Sequence, residues 1–319
     1  MNKTTTAWIL LLLCNLMWAL QFTCIKLVQD QVGAFSTVFL PMLMATLFLI
    51  PFVIKDVRVN KKRKLSDLKV FVLLAVVGQF PAQVLTTIGT QQSTASNAAI
   101  IALCLPILSA VLAYAILKER MTPLRWISFM IAITGVILVS LKDIFNSDFT
   151  IQYMLGNALI FLGVFGSGFY NTFCKKIAND YTEMEMLFYT YIFMVILLAP
   201  LVWHYEGDVF STISSFTPDT WTGLILLTVF HNFLSMLLFF KALKNLDAIQ
   251  VAFSNFLITF FALPIAALWL HEKLNLFSVL GGLLVLISTV IITVWEYRAT
   301  KASRMLDDKI THGAQKNNE

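Results

Sequence analysis

Ten runs of mostly apolar residues, near 7–28, 35–54, 70–88, 95–117, 124–141, 154–174, 185–203, 221–240, 248–270 and 276–296, occupy almost all of this 319-residue sequence. Each approaches the ~20 residues that an α-helix needs to cross ~30 Å of hydrocarbon. Only 13% of the residues are charged and the mean hydropathy is +0.79, whereas about a quarter of a soluble domain is charged. The expectation is an all-α membrane protein of ten transmembrane helices. Pro41, Pro81, Pro106 and Pro264 fall inside runs, where neighbouring helices re-satisfy the carbonyls a proline frees.

The first run follows Lys3 and has the outline of a secretory signal, and Leu11–Cys14 faintly resembles a lipoprotein processing site. Leu13 is too large for the position before such a cysteine, and nine further runs follow, so the segment reads as a retained span. Cys14, Cys24, Cys104 and Cys174 all lie inside runs without metal-ligand spacing. They read as small buried apolar residues, and neither metal nor cofactor is expected.

Basic loops stay on the cytoplasmic side. With the N-terminus inside, all of the 23 Lys and Arg except Lys26, Lys142 and Lys273 fall on the inner face. Both termini are then cytoplasmic, the 204–218 loop faces out, and the membrane is the cell (plasma, inner) membrane. The Lys55–Lys64 loop, KDVRVNKKRK, suits anionic inner-leaflet lipid at ~1 kcal/mol per basic side chain, so the basic pI calls for no nucleic acid. The polar tail 298–319 is expected to be disordered.

The chain repeats itself. Leu117–Trp126 reads LKERMTPLRW and Leu270–Val279 reads LHEKLNLFSV: each places a Glu at the end of a run, a cation after it and a short polar residue three past it. Thr122 and Asn275 are the expected N-caps of the runs that follow. CIKLVQD (Cys24–Asp30) matches CKKIAND (Cys174–Asp180) at an offset of 150, and from the third run onward the offset is 153, aligning Ala95 with Ala248 and Glu119 with Glu272. A repeat of five spans crosses the membrane an odd number of times, so its two copies, 1–146 and 147–297, are expected to lie inverted around a central cavity. Such inverted repeats mark secondary transporters that bind solute near the midplane.

At these residues the sequence resembles the drug/metabolite transporter superfamily, EamA type. WALQFTCIK (Trp18–Lys26) and the stretch Thr94–Ser140, with Pro106, Glu119 and Gly135, carry the resemblance; the second copy departs from it, with Ser288 where Gly135 would predict glycine. The resemblance implies two five-helix EamA repeats, a cavity lined mainly by the first, third, fourth, sixth, eighth and ninth runs, and export. It leaves the substrate open, because relatives move amino acids, sugars, nucleotide sugars, purines and drugs.

Polar side chains at membrane depth are functional candidates. Gln21 pairs with Asn171, Gln79 with Asn232 and Asn97 with Gln250 across the repeat; Gln83 lies one turn from Gln79, and His231 adjoins Asn232. Two roles are open to them: contact with substrate, or hydrogen bonds that hold the bundle together at ~0.6 kcal/mol each. Gln79, Gln83, His231, Asn232, Gln21, Asn171 and the deep Trp18 form the candidate substrate site. Lys26 is a counter-ion or a residue snorkelling to the interface. Glu119 and Glu272 read as solvated or hairpin-stabilising, and the glycines of Gly163–Gly168 as close-packing residues.

No cation or carboxylate sits at the centre of a run, so a neutral or zwitterionic solute is expected, with an amino acid or a hydrophobic amine leading. Protons are a candidate coupling ion, through His231, the group that titrates near neutrality, or through Glu183 and Glu185. Monomer and homodimer are both open. Three other classes compete less well. His271-Glu272 begins a zinc-protease motif but Asn275 stands at the second histidine; Ser167 with His231 imitates an intramembrane hydrolase dyad without an oxyanion hole; and a receptor or pore lacks a signalling domain or polar filter.

Overall fold

The computed structural model describes residues 3–59, 68–117, 123–145, 151–177, 180–246, 251, 254–272, 276–277, 279–288, 290–291, 294–295 and 298. Their regular structure is helical throughout: α1 (Lys3–Val28), α2 (Ala34–Val59), α3 (Leu68–Gln92), α4 (Ala95–Ala102), α5 (Leu105–Leu117), α6 (Pro123–Phe145), α7 (Ile151–Ile177), α8 (Glu183–Tyr205), α9 (Pro218–Asn245), α10 (Phe256–Trp269) and α11 (Val279–Ser288). Among the described residues six of these, α1, α2, α3, α7, α8 and α9, are long and apolar enough to cross a bilayer. The outer surface is apolar as well, with Phe48 on α2, Ile196 on α8 and Phe260 on α10 all exposed. This is a multi-pass membrane protein. The expected N-caps Thr122 and Asn275, residues 60–64 of the basic segment and the tail from 299 lie outside the described residues, while Lys55–Val59 of that segment are the last turn of α2 rather than loop.

Caps explain several starts. Thr182 and Glu185 form a reciprocal capping box on α8, and Thr217 accepts from Thr220 N–H just before Pro218 opens α9. The fourth run departs from expectation, because it is two helices rather than one. Pro106 lacks an N–H and its ring crowds the carbonyl four residues back. The chain tightens accordingly, with Leu103 N–H bonded to Ile100 O at 3.1 Å and Cys104 N–H to Ile101 O at 3.0 Å, before α5 begins.

Among the described residues, two helices widen. Leu74–Gln79 and Pro81–Leu85 in α3 are π-helical, and so is Leu227–Leu234 in α9. Phe80 N–H reaches Ala75 O and Ser235 N–H reaches Phe230 O, five residues back. Such turns gather at functional sites. Leu74 and Leu227, where the two segments begin, are 153 residues apart, the offset at which the sequence aligns.

Packing follows small residues, as it must where lipid is as apolar as the protein interior. α7 crosses α3 backbone to backbone. A Cβ on Gly166 would lie 2.8 Å from Ala82 N, and one on Gly156 would lie 2.8 Å from Gly89 O. The cluster Gly163–Gly168 thus packs closely, as expected from sequence. Because Gly89 meets Gly156 while Gly78 meets Tyr170, α3 and α7 are antiparallel. Lys26 near the end of α1 bonds to Gln91 O at the end of α3, so α1 and α3 are parallel and α1 opposes α7. Likewise α2 opposes α8, since Glu206 just past α8 meets Phe35 and Ser36 at the start of α2.

Candidate functional site

A cavity of about 90 Å³ lies where α1, α3, the α4–α5 break, α7, α9 and α10 converge. α1 contributes Trp18, Gln21 and Phe22; α3 contributes Gln79, Ala82, Gln83 and Thr86; α7 contributes Val164, Ser167, Tyr170 and Asn171. Ala102, Leu105, His231, Met236 and Ile258 complete the wall. None of these is Lys, Arg, Asp or Glu. The widened turns of α3 and α9 carry Gln79, Gln83 and His231, and α1 and α7 add Gln21, Ser167, Tyr170 and Asn171 to the polar part of the wall.

Gln83 is the hub. Its Oε1 accepts from Gln21 Nε2 at 3.0 Å and lies 3.4 Å from His231 Nε2. Gln79 Oε1 and His231 Nδ1 are buried without partners. The Tyr170 hydroxyl sits among Gln79, Thr190 and Cys174 without meeting hydrogen-bond geometry with any of them. Buried polar groups normally find partners, and each orphan costs about 1–3 kcal/mol. Trp18 is held against Phe239 with ring centroids 5.1 Å apart.

Six of the seven residues singled out from sequence, Gln79, Gln83, His231, Gln21, Asn171 and Trp18, are thus brought together. Asn232 is not. Its Nδ2 donates to Leu227 O at 2.9 Å and its backbone carbonyl accepts from the Tyr191 hydroxyl at 2.7 Å, so it turns away from the cavity and ties the widened α9 backbone to α8. Adjacent residues on a helix point about 100° apart, and His231 takes the inward position. Tyr170, Thr86 and Phe22 also line the wall, although sequence alone does not mark them; Tyr170 carries the one signal among them, as the neighbour of Asn171.

Ser167 and His231 share the wall, but Ser167 Oγ donates to Gly163 O at 3.2 Å while His231 turns to Gln83. No dyad forms. Lys26 Nζ bonds to Gln29 Oε1 and Gln91 O, both at 3.1 Å, outside the cavity. Glu185 belongs to the capping box, Glu183 pairs with Lys244 at 3.1 Å, and Asn97 sits in the first turn of α4. Glu119 and Gln250 lie outside the described residues. Among the described residues no His, Cys, Asp or Glu cluster fits a metal, and the four cysteines are buried and free.

Next to this site, sharing Asn171, lies a second cavity of about 40 Å³ lined by Ser109, Thr172, Lys175 and Asn255 among others. There Lys175 Nζ bonds to Leu243 O at 2.6 Å and Leu246 O at 3.0 Å, a cation placed on the negative end of α9. One turn along each helix from the cavity lining, Ile25, Thr90, Ala98, Ile160 and Ala262 are fully buried, and Ala98, Ile160 and Ala262 belong to one apolar cluster.

The sequence matches the EamA-like transporter family over residues 5–141 and again over 154–294. The chain belongs to the EamA-like transporter family. An uncharacterized transporter of Archaeoglobus fulgidus is 23% identical over 298 residues, covering 93% of this chain and all of that one. The uncharacterized transporters YyaM and YvbV of Bacillus subtilis are 22% and 25% identical over 69% and 77% of this chain, and 71% and 78% of their own. A solved crystal structure superposes with a TM-score of 0.63 over 93% of this chain and 98% of the other at 13% identity, a likeness of fold alone. This EamA-family member is a membrane transporter and not an enzyme.

Proposed function

We propose that this transporter exports a small neutral or zwitterionic solute by alternating access, with an amino acid or a hydrophobic amine as the leading class. The observation that carries the reading is the central cavity, enclosed by both halves of the chain and lined by neutral polar and aromatic side chains. A strongly anionic solute would find no cation there. Gln79, Gln83, Gln21, Asn171 and His231 would contact the polar part of the solute, and Trp18 with Phe22 the apolar part. Export is the direction that the resemblance to EamA exporters implies.

Ten spans in two inverted repeats, 1–146 and 147–297, suit the same reading. The antiparallel course of α1 against α7 and α2 against α8 favours it, as do the widened segments that begin at Leu74 and Leu227. The Lys and Arg distribution favours cytoplasmic termini in the plasma membrane. Growth protection by overexpression, across toxic amino-acid analogues, hydrophobic amines and anionic phosphonates, is the test. Protection against amines or amino-acid analogues that is lost in Gln83→Leu supports the proposal, and selective protection against phosphonates refutes it.

A further inference from the structure

We propose that Glu206 and Glu272 are gate residues that hold the first half of the chain against the second at one mouth of the cavity. Both carboxylates come from the second half, and each receives two successive backbone N–H groups at the start of a first-half helix. Glu206 Oε1 accepts from Phe35 N–H at 3.0 Å and Oε2 from Ser36 N–H at 2.7 Å, at the head of α2. Glu272 Oε1 accepts from Ala95 N–H at 3.0 Å and Oε2 from Ser96 N–H at 2.9 Å, at the head of α4. A negative charge on the positive end of a helix, bonded through both oxygens, is a strong form of polar contact.

The two helices differ in what they supply themselves: α4 has its own cap, Thr94, whose hydroxyl accepts from Asn97 N–H at 3.0 Å and which Glu272 supplements, whereas α2 is capped by Glu206. α8 and α9 carry their own caps, Thr182 and Thr217. α2 follows Gly33, which has no side chain to cap with and whose missing Cβ leaves the space that the Glu206 carboxyl fills: a Cβ there would lie 2.2 Å from Glu206 Cδ. Helix α2 therefore borrows its cap from the other half and loses it when the halves part. Glu272 is delivered by His271, the one non-glycine residue with positive φ, 54°, among the described residues. A left-handed residue at such a turn stores strain of the kind that gathers at working sites. Gln31 adds a third tie at the same end, accepting from Thr217 N–H at 2.8 Å and from Thr220 Oγ1 at 2.7 Å. Between these ties and the cavity, one helical turn from its lining residues, Ile25, Thr90, Ala98 and Ala262 are all fully buried.

The inference rests on the alternating-access reading, and its test needs no known solute. Full-length protein in vesicles of phosphatidylethanolamine and phosphatidylglycerol, carrying Ser167→Cys in the cavity wall, is exposed to a membrane-impermeant thiol reagent. Exposed Ser215, changed to cysteine in a parallel sample, reports which side bears the Glu206 mouth. Glu206→Gln and Glu272→Gln should each speed labelling at position 167 from that side about tenfold, and the double change more. Gly33→Ala, which fills the carboxylate's cradle and keeps both charges, should reproduce Glu206→Gln. Unchanged labelling with a lowered thermal midpoint would make the carboxylates ordinary caps and overturn the proposal, as would equal gains from both sides. Failure of the transport reading has a different signature, unaltered flux in cavity variants that leave both glutamates in place.

Discussion

The widened segment of α3 and the widened segment of α9 begin 153 residues apart and share a π-helical backbone, yet they use their polar side chains differently. In α3 both amides, Gln79 and Gln83, face the cavity. In α9 only His231 does, while Asn232 spends its amide on Leu227 O, the carbonyl five residues back. α3 has Pro81 to disturb its hydrogen-bond ladder and α9 has no proline in the segment, so the side chain of Asn232 stabilises by hydrogen bonding what proline imposes by sterics. A repeated backbone shape need not mean a repeated side-chain role.

The largest effect is expected at the contact that pins α3. Gly166→Val would drive a side chain into Ala82 N, Pro81 Cβ and Gly78 O, all within 2.9 Å of its Cβ, and should abolish folded protein, scored as recovery of monodisperse material from membranes. Gly168→Ala meets the mobile end of Leu112 at 3.1 Å and should be recovered normally. Equal recovery would mean that α3 is not held by backbone contact.

Next in size is the hub. Gln83→Leu strands the amide of Gln21 and the ring of His231, at about 1–3 kcal/mol, or roughly five- to hundredfold in flux. Asn232→Leu should instead cost about 1 kcal/mol of stability, seen as a lower thermal midpoint, with little change in KM. A raised KM at unaltered stability would put Asn232 back in the site and erase the difference between the two segments.

The smallest effect is expected for His231→Gln in solute exchange, because glutamine still offers a hydrogen-bond partner to Gln83; the rate should stay within about twofold, less than the cost of one ordinary hydrogen bond. A pH gradient sharpens the test: if protons couple through His231, accumulation driven by the gradient disappears while exchange survives. Full accumulation in this variant would leave His231 as a binding residue only.

Much of the site is legible in the amino-acid sequence. Polar residues are costly at membrane depth, so Gln21, Gln79, Gln83, Asn171 and His231 stand out against apolar neighbours. What stays hidden is local in chemistry and distant in sequence. Glu206 sits in an ordinary loop, and its role depends on Gly33, 173 residues earlier. Glu272 reads in sequence as a hairpin residue and instead caps α4, because only the fold brings Ala95 and Ser96 beneath it. Pro106 marks the break in the fourth run, but the same mark at Pro41 and Pro264 leaves α2 and α10 continuous.

Lipid as the solvent, the helical architecture and the two-copy pattern all follow from the amino-acid order, because runs of about twenty apolar residues and a fixed offset do not depend on how helices pack. Tertiary structure alone decided which way each helix turns. In a soluble protein the polar stripe of a helix names its outer face, but here lipid and core are equally apolar and the stripe is missing. Helix rotation was therefore set by glycine contacts such as Gly166 on Ala82, by borrowed caps such as Glu206 on α2, and by widened turns that sent His231 inward and Asn232 away.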